Sequence, residues 1–105
     1  MTDPRILERL RQGAEKWNLW RKDHRDLWLD FREVDLKGAD LRGAELIMAN
    51  LSMANLGHAD LREANLSAAA LGKANLSGAK LRGSQLMGPQ RVSFFNLGGA
   101  SRIMD

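Results

Sequence analysis

The residues able to do chemistry are few. The chain has two histidines, His24 and His58, and no cysteine. Disulfides and thiolate metal sites are therefore excluded, and the redox compartment is left open. Neither histidine has a second histidine or a carboxylate cluster at metal-ligand spacing. Serines such as Ser52, Ser67 and Ser77 have no histidine placed to act as their base. No glycine-rich loop follows a strand and opens a helix, as a phosphate cradle requires. The sequence therefore predicts no catalytic residue, no metal and no cofactor, and a protein that is not an enzyme.

What must position the remaining side chains is one domain of 105 residues, 44% apolar. Its formal charge is +3, from 16 lysines and arginines against 13 aspartates and glutamates. That is short of a nucleic-acid footprint and of the wrong sign for an acidic DNA mimic. The start "MTDPRILERLRQ" lacks a signal-peptide core, and no apolar run approaches the ~18 residues that would span a membrane. A soluble cytoplasmic protein with no membrane partner is the expectation. Met1 suggests a free-standing chain, and one module of a larger protein is also consistent with the sequence.

The dominant pattern has a period of five. Leucine occupies 36, 41, 46, 51, 56, 61, 66, 71, 76, 81 and 86, with Phe31 one step earlier. Alanine sits two residues before nine of these, from Ala39 to Ala79, and Asn or Asp immediately precedes seven. In a helix, successive leucines would land ~140° apart; in a strand they would alternate faces. A chain that turns a corner every five residues instead points every leucine at one axis. That is solenoid logic, in which stacking makes the core continuous.

The repeat A-(D/N)-L-x-x over residues 29–88 resembles that of the pentapeptide-repeat family. The resemblance implies an all-β solenoid, a right-handed quadrilateral parallel β-helix with four repeats per coil. Here that gives about three to four coils over residues 29–105, with residues 1–28 as an N-terminal helix and linker. Leucine and alanine then face inward, alanine because a narrow coil leaves no room for more. Residues twenty apart stack at ~4.8 Å.

In that frame Arg42, Arg62 and Arg82 form a vertical ladder beside Asp40, Asp60 and Lys80, with Glu63 near by. The ladder reads either as a self-neutralising charged face or as an anion- or partner-recognition strip. Ile47, Met48, Met53 and Met87 are apolar yet point outward. They sit beneath the N-terminal segment or mark a binding patch. His58 lies outward between Gly38 and Gly78 in its column.

Both ends need covers. Residues 2–28 read as one helix and a linker, with Asp3 as N-cap and Pro4 at the first helical position. Ile6, Leu10, Trp17 and Trp20 recur at helical spacing. The stretch "WNLWR" resembles a helical segment that precedes the repeats in some bacterial members. Trp17, Trp20 and Trp28 are expected over the bottom coil, or else form a docking cluster. At the other end Ser84 replaces alanine, Pro89 and Arg91 fall in inner slots, and "FNLGG" is out of phase. Phe94, Phe95, Leu97, Ile103 and Met104 either mediate a homodimer, as the resemblance implies, or fold over and cap a monomer.

The function predicted is a non-enzymatic binding or scaffold module whose flat walls meet a protein partner. The alternative is the resemblance's best-characterised role, a DNA-mimicking regulator of DNA gyrase or a related topoisomerase. Residues 31–105 depart from it, with nine Lys and Arg against seven Asp and Glu. Three coils would also give a rod of only ~15 Å. Direct nucleic-acid binding through the arginines lacks interleaved exposed aromatics.

Overall fold

The five-residue period becomes a corner in the backbone. In each repeat the leucine carbonyl accepts from the N–H three residues on, as in Ala39 N–H to Leu36 C=O at 3.0 Å. The third residue of that turn is left-handed, while its predecessor is not, the signature of a type II turn. Gly38 and Gly78, both at φ 69°, fill this position without strain. Glu33, Met48, Met53, His58, Glu63, Ala68 and Lys73 occupy it too, at φ between 56° and 62°. Each of these side chains works against the chain's handedness by ~1–2 kcal/mol. Replacing the exposed Ala68 by glycine should therefore stabilise the protein, by about 0.5–1 kcal/mol after glycine's larger unfolded-state entropy is subtracted. A urea midpoint that rises at constant slope would show it; an unchanged or lower midpoint would contradict the strain.

Where Asn or Asp precedes the inward leucine or phenylalanine, its side chain closes the corner from outside. Asn50 Oδ1 accepts the backbone N–H of Ser52 (3.1 Å), Asn55 that of Gly57 (3.0 Å), and Asn75 that of Ser77 (2.9 Å). Asp30, Asp35, Asp40, Asp60 and Asn65 do the same two residues on. These are Asx-turns, and they give the preference for Asn and Asp its cause. The corner N–H cannot reach the next level, so a short side-chain acceptor supplies its partner.

The computed structural model describes residues 2–86. Successive levels are joined by parallel bridges between residues twenty apart, from Asp30 with Asn50 to Asn65 with Gln85. Twenty residues at five per side make four sides to each turn of the solenoid. Leu36 N–H donates to Asn55 C=O, Asn55 N–H to Val34 C=O, and Gly38 N–H to Gly57 C=O, each at 2.8 Å. Every bridge is a single residue pair, and no longer strand occurs among the described residues. A side that must turn again after five residues has no length for a ladder.

The core is the predicted one. Phe31 and every repeat leucine from 36 to 81 are buried, as are the alanines two residues before them from Ala44 to Ala79, while Ala39 and Leu86 at the ends are partly buried. Val34 takes an alanine slot at the bottom. Ser84 does not interrupt the pattern: it is buried, and its hydroxyl donates to Leu81 C=O at 2.7 Å. Pro89, Arg91 and Leu97 lie outside the described residues.

The N-terminal segment is two helices rather than one, α1 (Pro4–Arg11) and α2 (Ala14–Lys22). Asp3 Oδ1 caps α1 through Arg5 N–H at 2.9 Å, with Pro4 opening the helix. The break falls at Gly13, whose φ of 110° no helix contains. The apolar spacing runs through the break because both helices press on the same end of the solenoid. Leu10 and Trp17 are fully buried there, Trp17 against Phe31 at 6.0 Å and Trp20 at 5.3 Å between centroids.

α1 and α2 also satisfy the bottom edge's orphaned backbone. Trp17 Nε1 donates to Glu45 C=O (2.8 Å) and Arg11 Nη2 to Asp35 C=O (2.8 Å). Asn18 bridges the edge, donating to Gly43 C=O (3.0 Å) and accepting from Glu45 N–H (2.9 Å). An edge covered in this way is closed to further strand pairing. Trp20 is half-buried, stacked on His24 at 4.3 Å, with the Arg9 guanidinium 5.0 Å from its centroid. His24 Nδ1 lies 2.8 Å from Trp20 C=O; a carbonyl only accepts, so Nδ1 carries the proton. Trp28 is no part of this cover: it is 78% exposed. It follows the turn out of α2, past the closed end, and lies against the side wall.

Candidate functional site

Two surfaces were singled out by side-chain type, and the structure treats them differently. On the charged wall the ladder forms, but its lower rungs are occupied. Arg42 grips Asp40 through two parallel bonds of 2.9 Å, and Arg62 grips Asp60 at 2.8 and 2.6 Å. Asp60 also lies 3.8 Å from Arg42 Nε, tying the two levels together. In each pair the aspartate Oδ1 also accepts the arginine's own backbone N–H, so one carboxylate closes the corner and fixes the side chain. Asp30 and Arg32 make the same clamp on another side, at 2.9 Å twice. The signal for all three was Asp-x-Arg within one repeat; the sequence placed Asp40 and Asp60 beside the ladder, but passed over Asp30 and Arg32, which lie outside its column. Arg82 has Lys80 in the aspartate position and forms no ion pair among the described residues.

These clamps perturb the carboxylates. Hydrogen bonds from the guanidinium of Arg42 hold Asp40 below its ordinary pKa, and those from Arg62 hold Asp60 below its own, against opposing desolvation. Asp30 is lowered further, chiefly by the Arg32 side chain and then by its backbone N–H. A carboxylate whose folded pKa is depressed adds stability above its unfolded value, near ~4, and that stability is lost as pH falls through the folded value. Thermal midpoints should thus be flat from about pH 7 to 5 and decline below about pH 4. An Asp30→Asn/Asp40→Asn/Asp60→Asn variant should decline less steeply, and equal slopes would contradict the coupling. All three pairs are solvent-screened, so salt should shrink the difference.

The second surface is apolar and free. Met48 is 71% exposed, Met53 48% and Ile47 40%. Leu27 and Trp28 join them: both are exposed, and they line the same groove as Ile47 and Met48 just before the first registered level, which opens at Asp30. Leu27, Trp28, Leu29, Ile47 and Met48 form one side of a groove of about 470 Å³, completed by Asn18, Arg21, Lys22, Arg25, Asp26 and Glu45. Met48 and Met53 stand at left-handed corner positions, so their side chains project from the wall. Neither lies beneath the helices. Met87 lies outside the described residues, as do Phe94, Phe95, Ile103 and Met104.

The remaining candidates are structural or solvated. His58 is exposed, its imidazole resting on Gly78, where a β-carbon would overlap the ring. Among the described residues no group of three His, Asp or Glu side chains is placed to hold a metal ion. Nor is any helix among them long and apolar enough to cross a membrane.

Comparison with known proteins places this geometry among others. The family described as pentapeptide repeats matches in eight copies, over residues 28–62 and 59–88. A crystal structure of a pentapeptide repeat protein from Nostoc Pcc 7120 is 35% identical, over 79% of this chain and 72% of that one, with a TM-score of 0.61. That of a pentapeptide repeat protein from the Arabidopsis thaliana thylakoid lumen is 37% identical over 72% of this chain, with a TM-score of 0.58. The match spans 50% of the Arabidopsis protein's length. No curated protein matches the chain.

Proposed function

The chain belongs to the pentapeptide-repeat family, and from that premise we propose that it is a non-enzymatic module that binds a protein partner through one side wall. The observation that carries this reading is the contiguous exposed apolar surface of Leu27, Trp28, Ile47 and Met48, with Met53 past the corner. None of these side chains belongs to the buried cluster of leucines and alanines that Leu10 and Trp17 cover. Exposed apolar patches rimmed by polar groups are what interaction surfaces present. The arginine wall is the weaker candidate, because Arg42 and Arg62 already hold carboxylates.

On the same reading residues 29–105 form the solenoid, of three to four coils, with residues 1–28 as the helical cover and the linker that joins it to the first coil. A homodimer through the C-terminal residues is compatible with a side wall left open. A cytoplasmic location is part of the proposal, although a solved relative from a thylakoid lumen shows that the fold itself does not select that compartment.

Affinity capture from the source cells, with retained proteins identified by mass spectrometry, tests the wall directly. A Trp28→Ser/Met48→Ser variant should lose a partner that wild type and an Arg42→Glu/Arg62→Glu variant both retain. Loss with the arginine variant alone, from folded protein, would move the working surface to the charged wall.

A further inference from the structure

The groove beside α2 has a charged rim as well as an apolar floor. Arg21, Lys22 and Arg25 stand along it, against Asp26 and Glu45. Arg21 is committed to structure: Nη1 donates to the carbonyls of His24 (2.6 Å) and Leu27 (3.0 Å), which fixes the turn that delivers Leu27 and Trp28 to the wall. Its guanidinium is held below its ordinary pKa first by burial and then by repulsion from Arg25, with Asp26 opposing. Lys22 and Arg25 are exposed and form no ion pair among the described residues. Arg32, Arg42 and Arg62 are each clamped by an aspartate two residues before, whereas Lys22 and Arg25, like Arg82, are not.

Three cations against two carboxylates leave the lining net positive beside its apolar residues, and that favours one kind of occupant. A basic segment would add to the repulsion already felt at Arg21. A neutral one would leave it in place while removing water that now screens it. A carboxylate brought to Lys22 and Arg25 relieves it, and does so where a low-dielectric floor strengthens the attraction. The groove's size, about 470 Å³, suits a few side chains rather than the face of a domain. We propose that the groove receives an acidic amphipathic peptide segment of the partner protein, its apolar side chains on Trp28, Ile47 and Met48 and its carboxylates against Lys22 and Arg25. The assignment rests on the side wall being the binding surface, and adds which chemistry it selects.

Selection of random displayed peptides of about twelve residues against the immobilised full chain tests both statements separately. The enriched peptides should combine bulky apolar residues with Asp or Glu. Their synthetic forms, followed by fluorescence anisotropy, should lose binding on Trp28→Ser. They should weaken by about tenfold on Lys22→Glu/Arg25→Glu, and weaken as salt rises. Arg21 is left intact because the turn depends on it. Peptides that need Trp28 but are basic or neutral, and do not respond to Lys22→Glu/Arg25→Glu, would overturn the acidic partner while leaving the wall in place. No peptide that depends on Trp28 would overturn both. Peptides that bind only after removal of residues 87–105 would also overturn it, making the chain's own C-terminal residues the occupant.

Discussion

Leu61→Asp should abolish cooperative folding. Leu61 has no exposed surface and lies between Leu41 and Leu81 in its inner column. The substitution removes ~3 kcal/mol or more of leucine packing and adds a buried carboxylate costing several kcal/mol more. The aspartate has no polar neighbour to pair with, since the positions facing it are alanine and leucine. A domain of this size holds only ~5–15 kcal/mol in all. The loss should not stay local, because each level's hydrogen bonds are made with the next, so a break in the middle separates both ends. Circular dichroism should show no folded baseline and no sigmoidal melt. Leu61→Met, which keeps the volume, should cost less than about 1.5 kcal/mol and melt cooperatively. A cooperative melt near wild type for the aspartate variant would contradict an axis lined by leucine.

Trp17→Ala should give the largest loss among substitutions outside the coil. The indole is fully buried, covers Phe31 and supports Trp20, and its Nε1 is the partner of Glu45 C=O. Truncating a buried tryptophan costs ~3–5 kcal/mol, and a carbonyl left without its donor adds to that. For a chain of this length the melting midpoint should fall on the order of 20 °C. The bottom of the core would open, so the variant should bind a hydrophobic dye and associate at its exposed edge. Trp20→Ala should cost less, because Trp20 is only half-buried and carries no edge hydrogen bond. A Trp17→Ala midpoint within a few degrees of wild type would show that the helices do not close the solenoid.

The period of five was legible in full, because each repeat buries the same two side chains and any slip would expose them. Leucine and alanine land where the spacing puts them, and even Ser84 keeps its slot by bonding Leu81 C=O. The step of twenty was carried by family resemblance, since nothing in a five-residue pattern says how many corners close a turn. The preference for Asn and Asp was visible without its cause, which is a backbone N–H that only a short side-chain acceptor can reach. The break at Gly13 was hidden because the apolar face continues across it on a second helix. Trp28 was placed among the end-capping indoles by residue type alone. The structure leaves it 78% exposed in the groove shared with Ile47 and Met48. The arginine ladder was found by its column, and of its two readings the self-neutralising face is the one its lower rungs take, although the two-pronged Asp-x-Arg clamp within one repeat was not foreseen. The homodimer or cap residues Phe94, Phe95, Leu97, Ile103 and Met104 lie outside the described residues.

The claim that most needs testing is that Trp28 and Met48 serve binding rather than the fold. A side-by-side thermal melt of wild type, Trp17→Ala and Trp28→Ser/Met48→Ser decides it without knowledge of the partner. Both wall residues are largely exposed, at 78% and 71%, so removing them should shift the midpoint by no more than about 3 °C. The Trp17 variant should meanwhile melt far lower. A wall variant that falls as far as Trp17→Ala would make Trp28 part of the solenoid's cover, and the apolar wall would no longer stand as the surface that meets a partner.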